Sequence, residues 1–161
     1  MKPIVILLMG SPADSEHSAA IESALHGFGV ETAFRIASAH RTPEHALAVL
    51  AEYEGSGRPR VYITVAGRSN ALSGFTDPQV SAPVIACPPP GPEVDLWSSL
   101  RMPPGVASAV VLEPINAALF AAKILSAHDP AVAEAVRAFQ MAQRRRVLDA
   151  DLDRQGGPAG V

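Results

Sequence analysis

The segment Ile4–Met9, with the sequence IVILLM, is closed by Gly10 and Ser11 and decides the fold of this 161-residue chain. It is apolar at every position, which is typical of a strand covered on both faces of a sheet. Apolar runs predict further strands at 31–37, 61–66, 83–87 and 107–112. Apolar residues at helical spacing predict helices near 21–28, 46–53, 115–127 and 131–150. This alternation predicts a parallel sheet with helices on both faces.

The composition excludes several classes of protein. Hydrophobic residues make up 48% of the chain and charged residues 18%, so we expect one folded domain over residues 1–154, with a disordered tail at 155–161. The net charge of −3 offers no basic excess for binding a nucleic-acid backbone. No apolar stretch approaches the roughly 20 residues that span a bilayer. We therefore predict a cytoplasmic protein that binds neither nucleic acid nor a membrane.

The loops that follow the first three strands form the candidate site, because ligands of an open parallel sheet bind where its strands end. These loops cover residues 10–14, 38–43 and 66–70, and all three are polar and built mainly from small residues. Free N–H groups at adjoining helix starts favour an anion, typically a phosphate. The glycine-rich fingerprints of dinucleotide and P-loop sites are absent from the sequence. The pattern therefore favours a simple nucleotide-sized ligand.

His40 and Arg41, in the second loop, are the side chains best suited to chemistry. A histidine with its ordinary pKa near 6.5 is a natural proton carrier at neutral pH. Arg41 stands just before a helix start, where its forked donors can hold a phosphate. The other histidines, at positions 17, 26, 45 and 128, are interpreted as surface residues. Their spacing does not fit a metal site, so no metal is predicted.

Three other features have structural interpretations. Cys87 has no cysteine partner, so an intramolecular disulfide is excluded and a packed core thiol is expected. Trp97, the only tryptophan, is interpreted as a core or interface anchor rather than as a ligand-stacking residue. The run Arg144-Arg145-Arg146 is expected near the end of the last helix, where it would complement the negative helix terminus.

Six segments together resemble the 5-aminoimidazole ribonucleotide (AIR) carboxylase family of purine biosynthesis, PurE. They are MGSPAD (Met9–Asp14), SAHRTPEH (Ser38–His45), AGRSNALSG (Ala66–Gly74), PVIACPPP (Pro83–Pro90), DLWSSLRMPPG (Asp95–Gly105) and NAALFAAKIL (Asn116–Leu125). The resemblance implies a flavodoxin-like three-layer α/β/α sandwich with a central parallel sheet, here with a long C-terminal helix. It also implies a homo-oligomer, an octamer in most members, whose active sites take residues from more than one subunit.

The resemblance assigns roles to individual residues. His40 would be the acid–base residue, and Ser11, Asp14 and Arg41 would hold the ribose phosphate. The remaining substrate-binding residues implied by the matching motifs are Gly10, Ser38, Ala66, Gly67, Ser69 and Asn70. We further expect N–H groups of the 66–70 loop to orient the new carboxylate of the product.

The amino-acid sequence of the third loop distinguishes the two branches of the family. The branch that rearranges N5-carboxyaminoimidazole ribonucleotide has a histidine where this chain has Ala71. The GRSN and WSSLR segments are similar to the class II branch, which uses CO2 directly. Two residues depart from the patterns of the family. Ala13 stands where many members have a serine, and Arg41 stands where the direct carboxylases often have a lysine and the rearranging branch has an arginine.

The implied reaction adds CO2 to C4 of aminoimidazole ribonucleotide, giving the 4-carboxylated nucleotide. C4 is an enamine carbon and already nucleophilic, so we expect no ATP, biotin or other cofactor. Holding the two partners in contact and moving one proton suffices. Two alternatives stay open at this point, the N5-carboxy mutase and a nucleotide-binding module without catalysis.

Overall fold

A computed structural model describes residues 1–155 of the chain. Its centre is a five-stranded, entirely parallel sheet with the strand order β2-β1-β3-β4-β5. The strands are β1 (Ile4–Met9), β2 (Glu31–Ile36), β3 (Arg60–Val65), β4 (Val84–Ala86) and β5 (Ala109–Val110). The order 2-1-3-4-5 is that of the flavodoxin-like fold. Ligands of this fold bind at the carboxyl ends of β1 and β3, where the strand order reverses. The predicted fold class is confirmed.

Six α-helices within residues 1–155 cover the two faces of the sheet and make the three layers. They are α1 (Ser15–Gly27), α2 (Pro43–Glu54), α3 (Ala71–Thr76), α4 (Trp97–Leu100), α5 (Pro114–Leu125) and α6 (Pro130–Gln155). Alternate residues of β1 point to opposite faces, as the strand period requires. Val5, Leu7 and Met9 pack with α1, α5 and α6, whereas Ile6 and Leu8 pack with α2 and Leu72 of α3. Both faces are therefore buried, which explains why β1 is apolar throughout.

Glu54, the last residue of α2, ties that helix to the strands beside it. Its carboxylate accepts hydrogen bonds from Arg60 Nε at 2.8 Å and Tyr62 Oη at 3.1 Å in β3. It also accepts from the N–H and the hydroxyl of Ser81, ahead of β4, at 3.2 and 2.8 Å. Burial raises the pKa of Glu54, but the bonds from Ser81, Arg60 and Tyr62 together outweigh burial and lower it. The ionised carboxylate is thus stabilised by the fold.

We expect Glu54→Gln to lower the free energy of unfolding by about 2 kcal/mol, because hydrogen bonds to a charged group are among the strongest in proteins. Urea denaturation at pH 7 measures the change. Glu52→Gln is the matched control, since Glu52 pairs with Arg35 but its side chain is 58% exposed, against 23% for Glu54. Exposed pairs contribute less than about 1 kcal/mol. Equal losses in the two variants would contradict the role assigned to Glu54.

Several predicted boundaries are wrong. Helix α6 continues to Gln155 rather than ending near residue 150, so Arg144-Arg145-Arg146 lies well before the helix terminus and does not complement it. Gln155, assigned to the tail, is helical, and residues 156–161 lie outside the described part of the chain. Strands β4 and β5 are shorter than predicted, and helices α3 and α4 had not been predicted. Every helix within residues 1–155 is too short or too polar to span a bilayer.

Candidate functional site

The loops that follow β1, β2 and β3 enclose one cavity of about 600 Å³. It lies beyond the carboxyl ends of these strands, at the place where the strand order reverses. Its lining residues come from all three loops and from the start of α3: Gly10, Ser11, Ala13, Asp14, Ser38, Ala39, His40, Arg41, Ala66, Gly67, Arg68, Ser69, Ala71 and Leu72. Of the ten predicted site residues, nine line this cavity, and Asn70 does not.

Gly10 allows the first and third loops to approach closely. A Cβ atom added at Gly10 would lie 3.1 Å from the Cβ of Ala66, closer than such carbon contacts normally are. The Gly10 N–H donates to Val65 O at 2.9 Å, so the two loops also share a main-chain bond. The floor of the cavity between β1 and β3 is therefore built from two residues with almost no side chain.

Arg41 joins the second loop to the first. Its Nη2 donates to the carbonyl oxygen of Gly10 at 3.0 Å, and its Nε donates to Ser38 Oγ at 3.4 Å. A guanidinium carries five N–H donors, and the other three have no acceptor within residues 1–155. The fixed positive charge thus borders the cavity with donors available for an anion.

His40 and Asp14 occupy different surroundings in the same cavity. His40 is exposed, at the mouth, where it can exchange a proton with a bound ligand. Asp14 is 9% exposed. Burial raises the pKa of Asp14, while the Ser11 main chain, His17 and Arg41 act in the opposite direction. A buried carboxylate of this kind favours a ligand that donates hydrogen bonds, such as a hydroxyl group.

The third loop has an unusual backbone. Arg68 adopts a left-handed conformation, with φ of 55°, and it is the only non-glycine residue with positive φ within residues 1–155. The N–H groups of Gly67, Arg68 and Ser69 have no acceptor in the described part of the chain. Successive N–H groups that flank a left-handed residue can form an anion-binding concavity. The loop therefore offers donors to the same cavity that Arg41 borders.

Asn70 is buried behind the lining instead of facing the ligand. It is 1% exposed, and its side-chain amide caps α3 and bonds to Ser99. Five lining residues received no binding role from the sequence: Ala13, Ala39, Arg68, Ala71 and Leu72. Four of them are apolar and carry no chemical signal in a sequence. Arg68 lies in the third predicted loop, and its positive charge soon after a strand of the switch point is the signal that could have given it a role.

His17 is not the surface residue that the sequence predicted. Its Nε2 lies 3.5 Å from Cys87 Sγ, and its side chain is partly buried on α1. Burial lowers the pKa of His17, and Cys87, Asp14 and Glu113 offset part of that effect. Cys87 is fully buried, as predicted, and burial raises the pKa of its thiol to about 12. The core interpretation of Trp97 is wrong, because its side chain is 53% exposed.

His17 should make folding stability depend on pH on the acidic side of neutrality. Because its pKa is lowered in the folded protein, the unfolded chain binds the proton more readily. The stabilising contribution of His17 is complete when the pH lies above 6.5, the ordinary pKa of histidine, and it is lost as the pH falls below that value. We expect the free energy of unfolding to fall less between pH 7.5 and about 5.5 in His17→Gln than in the wild type. His45→Gln, at an exposed position of α2 with no ion pair among the described residues, is the control and should follow the wild type. Parallel profiles for His17→Gln and wild type would contradict the assignment.

Comparison with known proteins assigns the chain to a family. The model of the AIR carboxylase family matches residues 4–146 of the chain, which include every lining residue of the cavity. The chain belongs to the AIR carboxylase family. It is 50% identical over 154 residues to the phosphoribosylaminoimidazole carboxylase of Treponema denticola, covering 94% of this chain and 97% of that protein. It is 49% identical to that of Archaeoglobus fulgidus, covering 91% and 82% of the two chains.

A solved structure supports the same conclusion for the fold. The crystal structure of Treponema denticola PurE superposes on this AIR carboxylase family member with a TM-score of 0.92 and 48% sequence identity, covering 98% of this chain and all of that one. The resemblance inferred from the six sequence motifs is therefore confirmed. The cavity at the carboxyl ends of β1, β2 and β3 is the candidate active site of a family member.

Proposed function

We propose that this protein is a phosphoribosylaminoimidazole carboxylase that joins CO2 to C4 of AIR, with His40 as the general acid–base residue. The observation that carries the proposal is the single cavity in which His40, the Arg41 guanidinium and the free N–H groups of the third loop meet. Each element matches one need of the reaction. These needs are a proton carrier, a phosphate ligand and donors for a new carboxylate.

The chemistry requires one bond to form and one proton to leave. The C4 carbon of AIR donates its electron pair to the carbon of CO2, and a C–C bond forms. C4 then carries both a hydrogen and a carboxylate. His40 takes that proton, and the electrons of the C–H bond restore the aromatic ring. In the reverse direction His40 returns the proton to C4, after which CO2 departs.

The residues of the cavity support a division of binding roles. Arg41 and Ser11 lie where a ribose phosphate can be held. Asp14, which the resemblance placed with them, is a buried carboxylate that suits a sugar hydroxyl better than a phosphate anion. Binding energy gained at the phosphate, away from the reacting carbon, can fix the orientation of C4 toward CO2. The N–H groups of residues 67–69 would donate hydrogen bonds to the carboxylate as its negative charge develops.

Ala71 supports the branch that uses CO2 directly over the mutase branch. The histidine of the mutase branch falls at this position, and Ala71 lines the cavity. Its methyl group cannot carry a proton between the N5 and C4 positions of a substrate. His40 is then the one imidazole bordering the cavity within residues 1–155.

The test compares two substrates in the presence of ¹³C-labelled bicarbonate and absence of ATP. A direct carboxylase converts AIR to the 4-carboxylated nucleotide with the label incorporated. A mutase converts the N5-carboxylated isomer faster and keeps its unlabelled carboxylate. A binding module without catalysis holds AIR but does not exchange the C4 hydrogen in deuterated water. Labelled product from AIR supports the proposal, and either of the other outcomes overturns it.

We further propose that the chain is a single domain over residues 1–154 that works as a homo-oligomer, an octamer, in the cytoplasm. Exposed apolar side chains along the second half of α6 support assembly: Met141, Val147, Leu148 and Leu152. Every residue of α6 from Met141 to its end is exposed in the isolated chain. Such a surface is typical of an interface between protein subunits. Light scattering on the purified protein measures the subunit count.

A further inference from the structure

We propose that Asn70 is a positioning residue, and that through Ser98 and Ser99 it holds the third loop in the conformation that receives the substrate carboxylate. The inference rests on the proposed function, because it assigns a purpose to that site's N–H groups. Asn70 does not touch the cavity itself. Its effect is exerted through the backbone of residues 67–69, directly before it in the chain.

Asn70 is anchored at three points in the protein interior. Its main-chain N–H donates to Ser98 Oγ at 2.9 Å, and its side-chain Nδ2 donates to Ser99 Oγ at 2.9 Å. The Ser73 N–H approaches its Oδ1 at 3.5 Å, at the first turn of α3. Ser99 is 2% exposed, so the Asn70–Ser99 bond is shielded from water. The Ser98 hydroxyl donates in turn to the Asp95 carbonyl oxygen at 2.9 Å.

The anchor explains how Arg68 keeps its left-handed backbone. A non-glycine residue in this region is strained and stays there only when its surroundings hold it. At one end of the loop, Val65 O accepts a hydrogen bond from the Gly10 N–H at 2.9 Å, and a Cβ atom added at Gly67 would lie 3.4 Å from Pro89 Cγ, so the backbone there has little room to move. Asn70 fixes the other end, two residues beyond Arg68. With both ends fixed, residues 67–69 stay at the cavity lining with N–H groups that have no acceptor within residues 1–155.

The network also separates two kinds of binding. The phosphate-side residues Ser11 and Arg41 belong to the first and second loops and make no hydrogen bond to Asn70, Ser98 or Ser99. Loosening the anchor should therefore weaken the carboxylate contacts and leave the phosphate contacts intact. A purely structural role would weaken both or neither.

The test measures two dissociation constants in Ser99→Ala and Asn70→Ala. We expect the affinity for the 4-carboxylated nucleotide to fall about 10-fold, and the affinity for AIR, which lacks the carboxylate, to change less than about 2-fold. The kcat should fall by a similar factor in both directions of the reaction. Ser98→Thr keeps the hydroxyl and should retain wild-type values, whereas Ser98→Ala should lose affinity for the carboxylated nucleotide.

A double-mutant cycle tests the proposed link to Arg68. Glycine adopts a left-handed backbone without strain, so Ser99→Ala should lower the affinity for the 4-carboxylated nucleotide less in the Arg68→Gly background than in the wild type. If Asn70→Ala does not fold, Ser99→Ala, which removes one hydrogen bond, answers the question alone. Equal weakening of both nucleotides, or of neither, in a folded Ser99→Ala variant overturns the inference. If the wild type fails to carboxylate AIR, it is the proposed function that fails.

Discussion

His40→Asn should lower kcat by about 10² to 10⁴, the range that a positioned general acid–base residue contributes. Asparagine keeps much of the size and polarity of the imidazole but cannot carry a proton at neutral pH. Because His40 is exposed and makes no hydrogen bond within residues 1–155, its replacement should not alter folding. The dissociation constant for AIR should stay within a few-fold of wild type, since the phosphate ligands are untouched. Steady-state carboxylation and calorimetric binding of AIR measure the two quantities.

Deuterium exchange at C4 of the bound nucleotide isolates the proton step. In deuterated water the wild type should exchange the C4 hydrogen, and His40→Asn should not. The matched control is His128→Asn, because His128 is exposed and lies just after the end of α5, outside the cavity. Undiminished turnover in His40→Asn, or an equal loss in the control, would show that another group moves the proton.

Arg41→Gln should weaken AIR binding by about 10 to 100-fold, which corresponds to the loss of charge-assisted hydrogen bonds of roughly 1.5–3 kcal/mol. Arg41 also bridges Ser38 and the Gly10 carbonyl, so part of the loss comes from a less ordered second loop. Arg41→Lys keeps the charge and matches the usual residue of the class II branch. It should bind AIR within a few-fold of wild type.

Titration of inorganic phosphate against AIR binding shows whether Arg41 acts at the phosphate. Phosphate should compete with AIR in the wild type and compete poorly in Arg41→Gln. Arg137→Gln is the control, since Arg137 is an exposed arginine of α6 that pairs with Glu134, away from the cavity. If phosphate still competes with AIR in Arg41→Gln, the phosphate group binds in a part of the cavity away from Arg41.

Local patterns predicted the sheet and most of the cavity lining because both depend on short stretches of sequence. The apolar run Ile4–Met9 fixed β1 as a central strand, and the structure buries it on both faces. The polar residues after β1, β2 and β3 were identified from the rule that parallel strands present their carboxyl ends to ligands. Gly10, Ser38, His40 and Arg41 lie together for that reason.

The errors concern residues whose role depends on partners distant in sequence. Asn70 carries a polar amide in the third loop, and only its contacts with Ser98 and Ser99 show that it supports the loop from behind. His17 has an ordinary helical context, and its burial depends on Cys87, which lies 70 residues away. Helix α6 is a different case, because every residue from Met141 to Gln155 is exposed and no apolar periodicity marks where the helix ends. None of these outcomes is encoded in local periodicity.

Assembly of the cavity from three separate loops couples ligand binding to the integrity of the whole sheet. Gly10, Arg41 and Ala66 meet only when β1 is paired with both β2 and β3. A chain in which any of these strands has detached offers no complete crevice, so a nucleotide cannot stabilise a partly opened form. At a concentration 100 times its dissociation constant, the nucleotide adds about 2.7 kcal/mol to the free energy of complete unfolding. Proteolysis that requires the unfolded chain is therefore expected to slow as nucleotide is added to the purified protein.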